Sequence, residues 1–304
     1  MNAVEIENVT KTFGEVTAVD DLTLTVPGNS IFGFIGPNGS GKTTTIRMIV
    51  NIFYPDRGVV RVFGEPMSPE RTGLLGYLPE ERGLYRKMAV GRLLEFFGEL
   101  RGGRNTSREV AEWLARLDLA HCAERKVETL SKGMSQRVQF IAAVIPEPKL
   151  LILDEPFTGL DPVSADALRE AVLLLRRRGA TVVLSTHDMG VAETLCDHIC
   201  MIFRGRKVLD GSLASIQDRY GDDTVRVSVE EGAAALEGLP GVERVRDLGQ
   251  MQELRMARGC DPHQLLKALV ARGRVSSFNV IRPSLHDIFV RIAGPAAEEE
   301  ADHA

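Results

Sequence analysis

At 304 residues the chain is longer than most single domains, so its length predicts one large domain with a smaller one attached. Its composition, 44% hydrophobic and 26% charged, is typical of a globular protein with a sizeable core and excludes a disordered or fibrous class. A formal net charge of -5 gives no overall electrostatic reason to bind nucleic acid. We therefore expect no nucleic-acid partner, unless a local basic patch provides for one.

The apolar runs are short compared with the ~20 residues of a membrane-spanning helix. Residues 1–13 lack the basic and apolar segments of a secretory signal, so we expect a cytoplasmic chain. Cys196 and Cys200 flank His198 and make only a weak metal-like pair, which favours reduced structural thiols. The four cysteines are Cys122, Cys196, Cys200 and Cys260.

The first 60 residues predict a strand, a second strand, a glycine-rich loop and a helix. Residues Val4 to Val9 alternate apolar and polar side chains, and Ser30 to Ile35 form an apolar run that ends at Gly36. A helical apolar spacing follows over Thr43 to Val50. The glycine-rich loop therefore connects a buried strand to a helix N-terminus.

The middle of the chain predicts a helical region and then a strand, helix, strand order. Strand-like runs occur at Leu150 to Leu153 and Thr181 to Ser185, and a helix over Ala165 to Arg178 lies between them, which predicts a parallel, doubly wound α/β sheet. The preceding helices are predicted at Arg92 to Leu100, Glu109 to Leu119 and Ser135 to Ile145.

After Gly221 the pattern changes to short elements, so we predict domains at 1–220 and 222–293 and a disordered acidic tail at 294–304. Asp261 and Pro262 are expected to begin a helix that Gly273 ends, and Ser284 with Asp287 opens a last one. The order βαββαβ suggests a small α+β domain of the ferredoxin-like kind. Its strands are Thr224 to Val229, Val242 to Arg246, Gln252 to Met256 and Val275 to Ile281, with a short helix at Ala233 to Leu236.

The glycine-rich loop fits the phosphate-binding pattern of nucleoside triphosphatases, in which backbone N–H groups at a helix N-terminus surround the phosphates. Lys42 is expected to reach the β- and γ-phosphates, and the Thr43 hydroxyl to ligate Mg²⁺. The expected nucleotide-binding residues of this P-loop (Walker A) segment are Gly36, Pro37, Asn38, Gly39, Ser40, Gly41, Lys42, Thr43 and Thr44.

Two carboxylates, Asp154 and Glu155, follow the predicted buried strand at Leu150 to Leu153. Open α/β sheets place their ligand sites at this end of their strands. Asp154 suits Mg²⁺, directly or through water. Glu155 suits activation of the attacking water in phosphoryl transfer.

Further segments resemble the ABC ATPase family of transporters. Leu130-Ser-Lys-Gly-Met134 resembles the family signature LSGGQ, and Gly159-Leu-Asp161 resembles its D-loop. His187 is similar to its switch histidine and Phe13 to its adenine-stacking aromatic. Read singly, Ser131 is equally a helix N-cap, His187 a surface histidine and Phe13 a core side chain. Their joint order spans nearly all of residues 1–220.

The resemblance implies a P-loop ATPase fold with a helical signature subdomain. It also implies that ATP and Mg²⁺, bound by Lys42 and Thr43 of one copy, are closed over by Ser131 and Gly133 of a second copy, so a homodimer is expected. Asp161 is expected among the nucleotide-binding residues. Glu155, His187 and Lys42 would be catalytic. The segment from Glu80 to Phe97 would transmit dimer closure to separate membrane permease subunits at the cytoplasmic face.

The chain departs from the family pattern at Met134, where the signature ends in glutamine, and at Glu80, where the Q-loop usually has glutamine. A glutamate there has an oxygen for Mg²⁺ but no amide donor. The segment Pro79-Glu-Glu-Arg-Gly-Leu-Tyr85, with Asp287-Ile-Phe289, resembles ABC ATPases of the sodium or drug exporter type.

Two other functional classes are weighed against the transporter. A soluble ABC ATPase acting on nucleic acid or ribosomes is disfavoured by the negative net charge, the single phosphate loop and the lack of sustained heptads. A P-loop kinase or GTPase leaves the signature segment and His187 unexplained. The sequence does not indicate the transported substrate, because the residues that contact it belong to membrane subunits.

Overall fold

The computed structural model describes residues 1–81, 83–100, 106–220, 224–230, 236, 238–257 and 259–301, with the backbone alone at 69–70 and 295–301. Its contacts divide the chain into two compact units, Met1–Ser212 and Leu213–Ala304. The division falls before the expected boundary at residue 220. The helix over Leu213–Tyr220 joins the second unit, where Gln217 Nε2 donates a hydrogen bond to the Pro283 carbonyl at 3.1 Å.

The first unit contains two sheets. A six-stranded sheet has the order β5-β6-β7-β3-β8-β9, parallel except for β9, which pairs antiparallel with β8. Its strands are β3 Ile31–Ile35, β5 Leu75–Leu78, β6 Leu150–Asp154, β7 Thr181–Thr186, β8 His198–Phe203 and β9 Arg206–Gly211. A three-stranded antiparallel sheet contains β1 Asn2–Phe13, β2 Val16–Pro27 and β4 Arg57–Val62.

The predicted parallel sheet is confirmed. The burial of its central strands explains why the sequence predicted them as apolar runs. Every residue of β3, β6 and β7 is buried, as expected for parallel strands that are covered on both faces. The carboxyl ends of these three strands are adjacent, because β3 pairs with β7 and β7 pairs with β6. The phosphate-binding segment follows β3, Asp154 ends β6 and is followed by Glu155, and His187 follows β7.

Six helices accompany the described sheets of the first unit. Asp161 caps α5 and is followed by Pro162 at the first helical position, and Asp188 caps α6 by accepting from the N–H groups of Gly190 and Val191. The helices are α1 Lys42–Ile49, α2 Val90–Leu100, α3 Thr106–Arg116, α4 Lys132–Val144, α5 Pro162–Arg177 and α6 Met189–Leu195.

The second unit contains a four-stranded antiparallel sheet. Its strand order, β11-β12-β10-β13, is that of the ferredoxin-like arrangement that the sequence suggested, and its described elements follow the same succession apart from the first helix, whose segment is not described. The elements are α7 Leu213–Tyr220, β10 Thr224–Val229, β11 Val242–Asp247, β12 Gln252–Met256, α8 Pro262–Arg272, β13 Val275–Ile281 and α9 Leu285–Ala301. The short helix expected at 233–236 lies outside the described residues except for Leu236.

Both helix starts predicted in this unit are confirmed. The Asp261 carboxylate accepts from His263 N at 2.9 Å, and Gly273 follows the last residue of α8. Ser284 and Asp287 exchange hydrogen bonds at the start of α9, Ser284 N donating to Asp287 Oδ2 at 3.1 Å and Asp287 N to Ser284 Oγ at 3.1 Å.

The structure continues α9 to Ala301, into the segment for which the sequence suggested an acidic tail without structure. Residues 296–301 are all alanine or glutamate, both strong helix formers, and charge alone does not prevent them from extending an existing helix. Residues 302–304 lie outside the described part of the chain.

The cysteines of the first unit lie in its interior. Cys122 and Cys200 are buried, and Cys196 is partly buried. Burial raises the pKa of the Cys196 thiol to about 12 and that of Cys200 further. The thiols of Cys196 and Cys200 therefore remain protonated at neutral pH, which makes them poor metal ligands and poor nucleophiles.

Candidate active site

The phosphate-binding segment runs from the end of β3 to the start of α1, as the sequence predicted. Gly41 precedes the helix with a φ of 107°, and a Cβ there would lie 2.4 Å from the Ala18 carbonyl oxygen. At Gly36, with a φ of 152°, a Cβ would lie 2.2 Å from the Ile202 carbonyl oxygen. Any larger residue at either position would displace backbone, so these two glycines are required by the fold of the loop.

A cavity of about 300 Å³ opens above this loop. It brings together the predicted phosphate-binding residues, the two carboxylates that follow β6, and Glu80 from the loop after β5. No acidic residue occupies the first turn of α1, so the N–H groups of that helix face the cavity without a competing negative charge. The lining residues are Ala18, Asn38, Gly39, Ser40, Gly41, Lys42, Thr43, Thr44, Glu80, Asp154 and Glu155.

Lys42 is buried, and its Nζ donates to the carbonyl oxygens of Gly36 at 2.6 Å and Pro37 at 3.0 Å. Burial lowers the pKa of Lys42, and the carboxylates of Glu155, Asp154 and Glu80 oppose that shift by favouring the charged form. The ammonium is therefore held within the loop, on the side of the cavity where anionic oxygens would lie.

Asp154 is fully buried at the end of β6, and neither of its carboxylate oxygens has a hydrogen-bond partner of normal geometry among the described residues. Burial raises the pKa of Asp154, and the nearby hydroxyls of Ser185 and Thr43 offset part of that rise. An unpaired buried carboxylate is costly in free energy unless a cation or proton compensates it. Asp154, Thr43 and Glu80 thus fit a hard divalent cation, which prefers oxygen ligands.

Glu155 is held by four contacts on both of its oxygens. Its Oε1 accepts from the backbone N–H of His187 at 2.9 Å and lies 2.8 Å from the His187 ring Nδ1. Its Oε2 accepts from the hydroxyls of Thr158 at 3.1 Å and Thr186 at 3.4 Å. The residue has a φ of 50°, an uncommon conformation for a residue other than glycine that directs the carboxylate into the cavity it lines.

The structure therefore brings His187 and Glu155 together, although 31 residues separate them in the sequence. The His187 ring is about half exposed, while the Glu155 side chain is almost fully buried. A buried carboxylate oriented by a histidine and two threonines can accept a proton from a water molecule in the cavity. Both residues were predicted from sequence as catalytic.

The signature-like segment does not contribute to the cavity of its own chain. Ser131 caps α4, its Oγ accepting from Met134 N at 3.2 Å, and Gly133 and Ser131 are not among the residues that line the cavity. Asp161 caps α5 by accepting from Ser164 N at 3.0 Å and from Ser164 Oγ at 2.6 Å. Within one chain Ser131 therefore has the N-cap role that the sequence left open beside the nucleotide role, and Asp161 is also an N-cap.

Phe13 ends β1 with a ring that is 45% exposed, and it is likewise not among the residues lining the cavity. Its ring packs edge to face against Phe53, with 5.4 Å between centroids. Lys11 Nζ lies 5.4 Å from the Phe13 centroid. Phe13 is therefore not the core side chain that was the alternative expectation. Its exposed ring has surface available for stacking on another ring.

Sequence reasoning missed three residues of this region. Lys132 stands where the family motif has its first glycine, a further departure from LSGGQ. Gln136 and Gln139, both buried on α4, donate to the carbonyl oxygens of Pro156 at 3.3 Å and Glu81 at 3.2 Å. They connect α4 to the loops that carry Glu155 and Glu80. Two glutamines three residues apart on a largely apolar helix were the available signal.

Sequence comparisons identify the family to which the chain is related. The family described as "ABC transporter" matches residues 19–158, and "ATP-binding protein DrrA1-3-like, C-terminal domain" matches residues 211–293. The Bacillus subtilis (strain 168) protein "Uncharacterized ABC transporter ATP-binding protein YhaQ" is 38% identical over 96% of this chain and 99% of its own length. A "Nod factor export ATP-binding protein I" from Rhizobium sp. (strain N33) is 34% identical over 98% of this chain and 99% of its own length.

Solved structures show the same fold. The "ATP binding subunit of ABC transporter" is 30% identical, with a TM-score of 0.68, over 72% of this chain and 93% of that one. The ADP conformation of MJ1267, "an ATP-binding cassette of an ABC transporter", is 26% identical, with a TM-score of 0.60, over 71% of this chain and 93% of that one. The fold of the first unit is that of an ABC ATPase domain.

This chain belongs to the ABC transporter ATP-binding proteins, and it is the ATP-binding subunit of such a transporter. Its second unit is the C-terminal domain found in DrrA1-3-like members of that family. Among the helices of the described residues, none combines the length and apolarity needed to cross a membrane.

Proposed function

We propose that this subunit hydrolyses ATP in the presence of Mg²⁺, with Glu155 as the general base. The observation that carries the proposal is the convergence of Lys42, Asp154 and a Glu155 oriented by His187 on one cavity. In this reaction the water oxygen bonds to the γ-phosphorus, the bond from that phosphorus to the bridging oxygen breaks, and Glu155 accepts the proton.

Each residue has a separate role in this scheme. Lys42 binds the β- and γ-phosphate oxygens, and the N–H groups at the start of α1 surround them. His187 acts as a positioning residue, because its ring and backbone nitrogens fix the Oε1 atom of Glu155. When bound, Mg²⁺ would neutralise charge on the phosphate oxygens, held by Thr43 and Asp154.

Glu80 is proposed as an additional metal contact. Three carboxylates, those of Glu80, Asp154 and Glu155, line the cavity against one lysine, which leaves two formal negative charges. A divalent cation balances that excess, whereas the phosphates alone would increase it. The glutamate in place of the usual Q-loop glutamine is thus compatible with an ATPase that depends strongly on its metal.

We further propose that the working unit is a head-to-tail homodimer. Ser131, Gly133 and Asp161 do not line the cavity of their own chain. In the family arrangement the same residues of a second copy close over the nucleotide. ATP would then favour the closed dimer, since its γ-phosphate contacts both copies, and hydrolysis would remove that preference.

The proposed partner is a membrane permease that contacts an exposed aromatic patch formed by Tyr85, Phe96 and Phe97. Tyr85 is 56% exposed and stacks on Phe97 with 6.4 Å between centroids, and Phe96 packs edge to face against both. Exposed aromatic clusters are typical of protein interfaces. Tyr85 follows Glu80, which lines the cavity, by five residues in the sequence. The chain thus connects the patch directly to the cavity.

The direction of transport is proposed as export, with the subunit at the cytoplasmic face of the membrane. The support is the relatedness to proteins named as Nod factor export ATP-binding proteins from several bacteria, at 33–36% identity. The substrate of this transporter would be determined by its membrane subunits.

Steady-state ATP hydrolysis with and without Mg²⁺ tests the catalytic proposal. Glu155→Gln should lower kcat by about 10²–10⁴-fold, the usual contribution of a general base, with ATP binding retained. Glu112→Gln, which changes an exposed glutamate on α3, is the matched control and should leave the rate unchanged. Wild-type activity in Glu155→Gln, or hydrolysis that persists without divalent cations, would contradict the proposal.

A further inference from the structure

The sheet of the second unit has two faces of opposite character. One face is apolar: Val225 and Val227 from β10 and Leu254 from β12 pack against Leu265 and other residues of α8 in a single core. Side chains alternate along strands, so the intervening residues of β11 and β12 lie on the other face. On that second face the structure places Arg244, Arg246, Glu253 and Arg255.

This charged face and the start of α9 enclose a cavity of about 280 Å³. Four arginines and one histidine line it, against two carboxylates. The lining residues are Thr224, Arg244, Arg246, Glu253, Arg255, His286, Asp287, Val290 and Arg291. Although the whole chain is acidic, this cavity is locally basic.

Both carboxylates of the cavity already have partners, and only one of these partners is a lining arginine. Glu253 Oε2 accepts from Arg226 Nε at 3.0 Å, and Arg226 is not a lining residue. Asp287 Oδ2 accepts from Ser284 N at 3.1 Å, and Asp287 Oδ1 is 4.0 Å from Arg246. Against four lining arginines, the two lining carboxylates leave a formal excess of two positive charges.

The strand register adds a second observation. Arg244 of β11 and Arg255 of β12 are directly opposite each other in the antiparallel pair. Like charges at such positions destabilise a sheet, although Arg255 also pairs with Glu243 at 3.7 Å. An anion placed between the two guanidinium groups would turn this repulsion into two attractive contacts.

We propose that this cavity binds a small phosphate-bearing anion. Guanidinium groups match the geometry of phosphate oxygens and bind them in pairs, and four of them from two strands and one helix surround the space. The cavity is slightly smaller than the ~300 Å³ lower limit of usual small-molecule pockets, which suits a phosphate or pyrophosphate group better than a whole nucleotide. The group can belong to a soluble compound or to a phospholipid headgroup.

Calorimetric titration with inorganic pyrophosphate tests the site, in a Lys42→Ala background that weakens binding at the phosphate loop. Arg244→Gln should weaken the remaining binding about tenfold or more, as expected for loss of one charge-assisted hydrogen bond. Arg274→Gln, which changes an exposed arginine of the same unit outside the cavity, is the matched control. Arg244→Lys, which keeps the charge, should retain part of the affinity.

A thermal measurement separates loss of the site from loss of the fold. Without anion, Arg244→Gln should raise the unfolding temperature of the second unit, because it removes the repulsion across β11 and β12. With saturating pyrophosphate the second unit of the wild type should have a higher unfolding temperature than that of Arg244→Gln. Two results would contradict binding of soluble phosphate: no pyrophosphate binding by the Lys42→Ala chain, or equal affinities of the Arg244→Gln and Arg274→Gln chains. Either result overturns the proposal if the chain also fails to bind the lipid vesicles described next.

Vesicle sedimentation distinguishes the two sources of phosphate. Vesicles of phosphatidylcholine with phosphatidic acid should retain the chain in an Arg244-dependent manner if the natural ligand is a headgroup, and pyrophosphate should release it. If pyrophosphate binds and these vesicles do not, the ligand is soluble. Failure of both probes in chains that fold normally would exclude the site, and it would leave the ATPase proposal unaffected.

Discussion

Replacing Asp154 by asparagine should make the metal-free first unit more stable. The wild-type carboxylate is fully buried, with no hydrogen-bond partner of normal geometry among the described residues. Such a buried charge costs several kcal/mol, whereas an unsatisfied amide costs about 1–3 kcal/mol. The difference, about 2 kcal/mol, corresponds to a rise in unfolding temperature of about 4–8 °C for a unit of this size.

Differential scanning fluorimetry in EDTA, and again with Mg²⁺ and ATP, measures this effect. Ligand at about 100 times its Kd stabilises the wild type by about 2.7 kcal/mol, so the order of the two proteins should reverse when Mg²⁺ and ATP are present. Asp166→Asn, on the exposed side of α5, is the matched control. A lower unfolding temperature for Asp154→Asn in EDTA would refute the reasoning, because it would mean that the carboxylate is already compensated by the protein.

The same comparison has a defined dependence on pH. The pKa of Asp154 is raised in the folded chain above its ordinary value of 3.8. The folded state therefore binds the proton more tightly, and wild-type stability falls as pH rises from 3.8 through the raised pKa. The stability advantage of Asp154→Asn should be greatest at high pH and should shrink as the pH is lowered through that pKa. An advantage independent of pH would contradict this.

The remaining predictions concern a positioning residue, the phosphate loop and a helix cap. His187→Ala should lower kcat about tenfold with unchanged ATP affinity, since Glu155 keeps its backbone and threonine contacts. A fall in kcat as large as that of Glu155→Gln would show that the His187 ring itself is catalytic. Gly41→Ala should weaken ATP binding in a filter assay more than Gly39→Ala, because both glycines have a positive φ but only at position 41 would a Cβ also clash with backbone. Asp261→Ala should lower the stability of the second unit by about 1 kcal/mol in thermal unfolding and leave hydrolysis unchanged.

The sequence predicted the parallel sheet and the phosphate loop because both depend on local patterns. The strand at Leu150 to Leu153 is buried on both faces and therefore reads as a continuous apolar run. Gly41 and Gly36 are required by close contacts with distant backbone, but those glycines belong to a motif that is visible without the contacts. Chemistry and local structure coincide in this part of the chain.

The antiparallel strands β2, β4 and β9 and the contacts of α4 were not predicted. Strand pairing joins residues such as Val4 and Val62 that are far apart in sequence, so no local pattern determines it. Gln136 and Gln139 are polar residues on a helix, and only the folded chain shows that their amides bind loop carbonyls.

The basic cavity of the second unit illustrates a limit of composition. The net charge of -5 describes the whole chain and is compatible with four arginines around one small space. Arg244 and Arg246 alternate along β11, and Arg255 joins them only through the strand register. A local charge excess of this kind requires the pairing of strands to be known.

The rate of ATP hydrolysis per chain, measured against chain concentration, tests most directly the central claim that two copies form each catalytic site. The rate per chain should rise with concentration toward a plateau, and Ser131→Arg should abolish that rise while ATP binding at low concentration stays the same. A rate per chain that is constant over the whole range and indifferent to Ser131→Arg would contradict the dimeric ATPase and leave a monomeric enzyme in its place.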